Sequence, residues 1–192
     1  KSINSDQILI GTTKYGVLKW NKKQNKYSTL FTDPRTKKDL FVRDILIFNE
    51  HILWYATENG LYMHNISNDT YTNHKKSHNN KWGISDNAIY NLLKDNEQGI
   101  WAGTYFAGVN YYHPNNNHIH KIYATGETNS IQGNVVRAIN QDKHGFIWIG
   151  TEDAGFSKWD KLKNKFSNYS TSTNTIDNDN VHGLIQVDDK IW

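Results

Sequence analysis

The chain has 192 residues, enough for one sizeable domain. Its net charge of +3, from 22 Lys and Arg against 19 Asp and Glu, is small and dispersed, which excludes the concentrated basic stripe of a nucleic-acid binder. It has no cysteine, which excludes disulfides and thiolate metal sites, and no apolar run approaches the ~20 residues that cross a bilayer. Aromatic residues make up 13% of the chain, with 7 Trp and 11 Tyr, and so much aromatic surface needs burial or a ligand. Proline is scarce and asparagine abundant, which suits many short strands joined by turns.

In chain order, the first phrase is "ILIGTTKYGVLKW", with Leu9, Gly11-Thr12, a short loop and Gly16 opening a second strand. "KKQNK" at 22–26 caps the next strand-to-strand turn. "FVRDILIF" then leads to Trp54, Ala56-Thr57 and "GLYMH". "NAIYNLLKD" leads to Trp101, Gly103-Thr104 and "GVNYY", and "NVVRAINQD" leads to Trp148, Gly150-Thr151 and "GFSKW". "NVHGLIQVD" and Trp192 begin the phrase again. Trp54, Trp101 and Trp148 lie 47 residues apart, with Leu9 45 before the first and Trp192 44 beyond the last.

The third copy shows the plan most clearly. Strands are expected at 88–94, 100–104, 109–112 and 119–123, separated by "DNEQG", "YFAG" and "HPNNNH". Four short antiparallel strands recurring every ~45 residues are the signature of a β-propeller blade. The fold class is therefore all-β, a propeller of four-stranded antiparallel blades with 47-residue repeats. The divisions fall at 1–37 (an incomplete blade), 38–84, 85–131, 132–178 and 179–192 (the start of another). The first copy opens at a second strand and the last stops at one, so the reading expects part of a larger ring. The recurring tryptophans fill the space between blades, and function falls to positions where the copies differ.

Eleven residues before each tryptophan stand Arg43, Tyr90 and Arg137, near the start of the innermost strand. The loop between second and third strands opens on the same face. It contributes Lys14 and Tyr15, Glu58, Tyr105 and Phe106, and Glu152 and Asp153. Guanidinium groups beside phenol rings suit an acidic or polar saccharide, with Arg forking onto a carboxylate or sulfate and rings stacking on the sugar. The competing reading is that Arg43 and Arg137 only pair with neighbouring carboxylates.

Two further constellations are weaker. The turns opening at Asp95 and Asp142 resemble the Asp-box of sialidase propellers, but each has one extra residue and lacks the serine before the aspartate. They read as hairpin turns in which Asp bonds loop amides. His113, His118 and His120 could meet around a metal, but they read better as polar decoration of an edge strand.

The third and fourth copies resemble the two-component regulator propeller repeat, roughly N-x-V-x-x-I-x-x-D-x-x-G-x-x-W-I-G-T-x-x-G-G-L. The match loosens near Trp54, where Ala56 replaces Gly and "NEH" replaces the acidic turn. The resemblance implies a seven-bladed ring within the periplasmic sensor region of a hybrid two-component protein at the inner membrane. It also implies an oligosaccharide ligand, further blades of the same chain, a homodimer, a membrane anchor outside this sequence and a histidine kinase regulating polysaccharide utilisation. No catalytic residue, metal or cofactor is expected in this segment. The alternatives are a propeller glycosidase or lyase, or a protein-interaction platform.

Overall fold

The structure, a computed structural model, describes residues 1–36, 39–77, 82–113, 115–188 and 190–192, with the side chains of 116–118 outside the described set. Consecutive strands pair antiparallel in a run of meanders. The first blade holds β1 (Gln7–Gly11), β2 (Val17–Asn21) and β3 (Lys26–Phe31). The second holds β4 (Val42–Ile47), β5 (Ile52–Thr57), β6 (Gly60–Asn65) and β7 (Thr70–His74). The third holds β8 (Ile89–Lys94), β9 (Ile100–Thr104), β10 (Val109–His113) and β11 (Asn116–Ile122). The fourth holds β12 (Val136–Gln141), β13 (Ile147–Thr151), β14 (Phe156–Asp160) and β15 (Lys165–Tyr169). A short pair, β16 (Gln186–Val187) and β17 (Lys190–Ile191), follows. One 3-10 turn at Thr171–Thr173 is the helical element among the described residues.

This is the blade plan read from the repeat, with differences at strand ends, two of them larger than a residue or involving a new partner. The outer strand of the third blade begins at Asn116, three residues earlier than its sequence suggested, because "NNH" pairs on with β10 across a register shift at Tyr112 and His113. Ahead of β1, Ser2 bridges Ile8 antiparallel and Leu9 donates its amide to the Lys1 carbonyl at 2.8 Å, so β1 has a partner on its inner side.

The core lies between blades. One cluster joins Leu9, Val17 and Phe31 of the first blade to Val42, Ile45, Leu53 and Tyr55 of the second. Another sets Trp54, Ala56 and Leu61 against Ile89, Leu92 and Ile100 of the third. A third sets Trp101 and Val109 against Val136, Ile147 and Ile149 of the fourth. The repeated tryptophans are thus wedges at blade interfaces, where a large flat ring buries much area for few rotatable bonds. In the first blade Leu9 holds the wedge position, and Tyr55, His64 and Phe31 fill the room that an indole would take.

The repeated Gly-Thr explains itself at this contact. Thr104 Oγ1 donates to the Gly108 carbonyl at 2.7 Å and accepts from the Ala107 amide at 3.0 Å, closing the loop on itself. Thr12, Thr57 and Thr151 do the same at their own loops. The loop glycine then straps one blade to the next. The amides of Gly16, Gly60, Gly108 and Gly155 donate to the carbonyls of Leu40, Asn87, Asn134 and Asp179, each just ahead of the following blade.

The turn from first to second strand is tied to the wedge. Asp95 Oδ1 accepts the amides of Glu97 and Gly99 at 3.0 and 2.7 Å, and its Oδ2 accepts the Trp101 indole N–H at 2.9 Å. Asp142 repeats this with His144, Phe146 and Trp148. Where the acidic turn is missing, Asn49 and Asn4 take over the amides. The acids that resembled an Asp-box are therefore structural. Trp101 is fully buried, whereas Trp148 is only half-buried and lines a cavity of about 340 Å³ with Phe156, Lys158 and Tyr169.

Candidate functional site

The first strands lie side by side, β4 next to β8 and β8 next to β12. Each carries the same irregularity at the same point. Val42 pairs with Thr57 and Asp44 with Ala56, leaving Arg43 as the extra residue of a β-bulge. Ile89 and Asn91 pair with Thr104 and Gly103 around an extra Tyr90, and Val136 and Ala138 pair with Thr151 and Gly150 around an extra Arg137. A bulge breaks the alternation of the strand and re-aims one side chain. Here three bulges on three neighbouring strands aim Arg43, Tyr90 and Arg137 together.

The re-aimed side chains meet. The Arg43 guanidinium carbon sits 3.9 Å from the centre of the Tyr90 ring and 4.4 Å from that of Phe41. The Arg137 guanidinium carbon lies 4.7 Å from the same Tyr90 ring. Such cation–ring contacts are each worth about 0.5–2 kcal/mol, more as water is excluded. Burial pushes the Tyr90 hydroxyl above its ordinary pKa, against the pull of the Arg43 guanidinium, so it remains a hydrogen-bond donor at neutral pH.

Each bulge residue also has a partner fifteen positions on, in the loop between second and third strands of its own blade. Arg43 donates from Nε and Nη2 to one oxygen of Glu58. Arg137 does the same to Glu152, with its Nε at 2.6 Å from Oε2. Tyr90 packs on Tyr105 with ring centres 5.0 Å apart, and Phe106 lies against Tyr105 at 3.9 Å. The two arginine side chains are only about a quarter exposed, at 26% and 25%, so these pairs are better shielded than ordinary surface ion pairs.

The structure therefore joins Arg43, Glu58, Tyr90, Tyr105, Phe106, Arg137 and Glu152 of the sequence candidates. The fork that Arg43 or Arg137 could offer to a saccharide carboxylate is turned onto a glutamate of the same blade. Lys14 and Tyr15 are exposed and belong to the equivalent loop of the first blade, where Tyr15 bridges Leu40 through the backbone. Asp153 turns the other way, towards Gly133, where an added Cβ would come within 2.2 Å of its Oδ1. Phe41 was missed by the repeat count because it precedes the strand; its signal was an aromatic two residues before an arginine.

Of the three histidines, His113 hydrogen-bonds within its own blade, Nε2 to the Glu97 carbonyl at 3.1 Å and Nδ1 from the Asn115 amide at 3.2 Å. The His118 side chain lies outside the described residues. The repeated acids Asp95 and Asp142 are occupied by turn amides and indoles, and Glu58 and Glu152 by arginines.

Two segments, residues 83–106 and 130–153, match the family model for the two component regulator propeller. Each spans a bulge residue and its partner, Tyr90 with Tyr105 and Arg137 with Glu152. No curated protein matches the chain. Among solved structures it is similar to the extracellular domain of the hybrid two component system BT3049 from B. thetaiotaomicron, with a TM-score of 0.72 at 20% identity over 97% of this chain and 24% of that one. The extracellular domain of BT4673, from the same organism, gives 0.68 at 21% identity over 88% of this chain and 21% of that one. Virginiamycin B lyase from Staphylococcus aureus gives 0.62 at 11% identity, over 88% and 54%. The chain thus spans less than a quarter of the length of the first two, and at these identities the likeness is one of fold.

Proposed function

Because the chain carries two-component regulator propeller repeats, we propose that it supplies blades to the extracellular sensor region of a hybrid two-component signalling protein. Its Arg43–Tyr90–Arg137 cluster is then where this segment meets an oligosaccharide. The observation that carries the reading is the coincidence of three bulges, each aiming a side chain at a shared point on consecutive blades. Bulges cost ladder hydrogen bonds, and re-aiming a side chain is the use that justifies them. The two extracellular domains named above support the setting, since both are described as parts of hybrid two component systems.

In this reading the protein stands on the periplasmic side of the inner membrane, anchored by a segment outside this sequence, with further blades of the same chain around it. Two sensor copies act as a homodimer, and a histidine kinase downstream regulates polysaccharide utilisation. The ligand touches three blades at once. It can bias the arrangement of the copies only by the difference in its affinity for the two arrangements, so contacts that depend on blade positions are the useful ones. A catalytic reading has less to stand on, because the repeated acids are engaged in turns and ion pairs.

Calorimetry of the complete sensor region with its cognate oligosaccharide tests the assignment. Replacing Arg43, Arg137 and Tyr105 together by alanine is expected to lower affinity at least about tenfold, or ~1.4 kcal/mol. An affinity that stays within about threefold, ~0.7 kcal/mol, would place the ligand elsewhere.

A further inference from the structure

We infer that the cluster selects an uncharged saccharide, with Phe106 as the stacking platform and the two Arg–Glu pairs as readers of vicinal hydroxyls. This rests on the preceding reading of the site and sharpens its ligand class. The argument starts from charge. Arg43 and Arg137 arrive already neutralised by Glu58 and Glu152. One more carboxylate stands beside the cluster: Asp86, just ahead of β8, accepts the Phe106 amide at 3.2 Å. Two guanidinium groups thus meet two carboxylates directly, with a third nearby. A saccharide carboxylate or sulfate placed here would face glutamates as closely as arginines, and like charges set together across an interface cost several kcal/mol.

Hydrogen-bond chemistry points the same way. Each arginine spends Nε and part of Nη2 on one carboxylate oxygen, which leaves the Nη1 donors and the second carboxylate oxygen for other partners. A donor edge beside an acceptor edge matches a pair of adjacent hydroxyls, each of which both donates and accepts. It does not match a carboxylate, which only accepts. The arrangement occurs twice, flanking Tyr90.

The aromatic groups divide the labour. Tyr90 is engaged by both guanidinium groups and by Tyr105, so it holds the pairs in place. Phe106 is 68% exposed while its amide is fixed by Asp86 and its ring is backed by Tyr105. An exposed apolar ring held rigidly beside polar groups suits the C–H face of a sugar.

The test uses the complete sensor region against matched panels of neutral oligosaccharides (glucans, xylans, arabinans, mannans) and acidic ones (oligogalacturonates, sulfated glycosaminoglycan fragments). The expected tightest binder is neutral, with affinity changing less than about twofold between roughly 50 and 500 mM NaCl. Phe106→Ala should weaken it at least about tenfold without lowering thermal stability, since the ring is exposed. Glu58→Gln with Glu152→Gln should weaken the neutral binder and create salt-sensitive binding of oligogalacturonate, because two arginines then stand uncompensated. A wild-type preference for an acidic oligosaccharide, weakening with salt, would overturn the uncharged-ligand inference while leaving the site in place. If no binder from either panel responds to Phe106→Ala or Tyr105→Ala, the site assignment itself falls.

Discussion

Asp95→Ala is expected to lower the unfolding free energy by about 3–5 kcal/mol, seen as a drop in the urea midpoint at unchanged slope. Asp95 is 2% exposed and gathers four donors. Besides the amides of Glu97 and Gly99 and the Trp101 indole, its Oδ2 lies 3.3 Å from the Lys161 ammonium, which reaches back from the fourth blade. Lys161 also meets Glu97 at 2.8 Å. Burial works against its charge, but the Glu97 hydrogen bond and the Asp95 carboxylate hold its pKa above the ordinary lysine value. Alanine would leave buried donors without an acceptor, at a cost of about 1–3 kcal/mol for each one that water cannot reach. It would also loosen Trp101, whose indole meets Trp159 of the next blade edge-on at 5.4 Å. Asp142→Ala is the internal comparison. Asp142 gathers three donors among the described residues, the amides of His144 and Phe146 and the Trp148 indole, so its loss should cost about 1–3 kcal/mol less. Equal costs would mean that the Lys161 contact adds nothing to the Asp95 turn.

Gly108→Ala is expected to cost about 3 kcal/mol or more, the second large effect. Gly108 has φ +68°, and a Cβ there would lie 2.2 Å from the Ile122 carbonyl oxygen. Gly16 and Gly155 hold the same conformation against Phe31 and Tyr169 of their own outer strands. Left-handed strain alone accounts for about 1–2 kcal/mol, and displacement of β11 adds the rest. Gly126 separates the two contributions. Its φ is +83° but nothing lies within 4 Å of its missing Cβ, so Gly126→Ala should cost only the strain. Chemical denaturation of both variants decides it: similar losses would show that the approach of β11 is not a real constraint.

Blade order, the wedge tryptophans and the acidic turns were legible because each copy must solve the same packing problem with the same residue types. The strand limits were less so, since β11 starts inside an asparagine run that reads equally well as turn. The bulges were hidden by a habit of counting strands in twos. Their trace is in the burial pattern nonetheless. Val42 and Ile45 are both buried three apart, as are Ile89 and Leu92, where an unbroken strand would bury every second residue. The partnership between bulge and loop was also written in the spacing. Fifteen residues separate Arg43 from Glu58, Tyr90 from Tyr105 and Arg137 from Glu152, charge matched with charge and ring with ring. Counting positions back from the tryptophan found one member of each pair, and the loop between second and third strands supplied the other. Only the re-aimed backbone shows that the partners touch, which is why free forks and pairing with neighbouring carboxylates both read from the sequence.

Hydrogen exchange by mass spectrometry, on the complete sensor region with and without saturating oligosaccharide, tests the central claim most directly. The account predicts slower exchange together at the three bulges and their loops, around residues 41–44 and 58, 88–91 and 104–107, and 135–138 and 152. Protection confined to other parts of the region, with all three bulge segments unchanged, would contradict it.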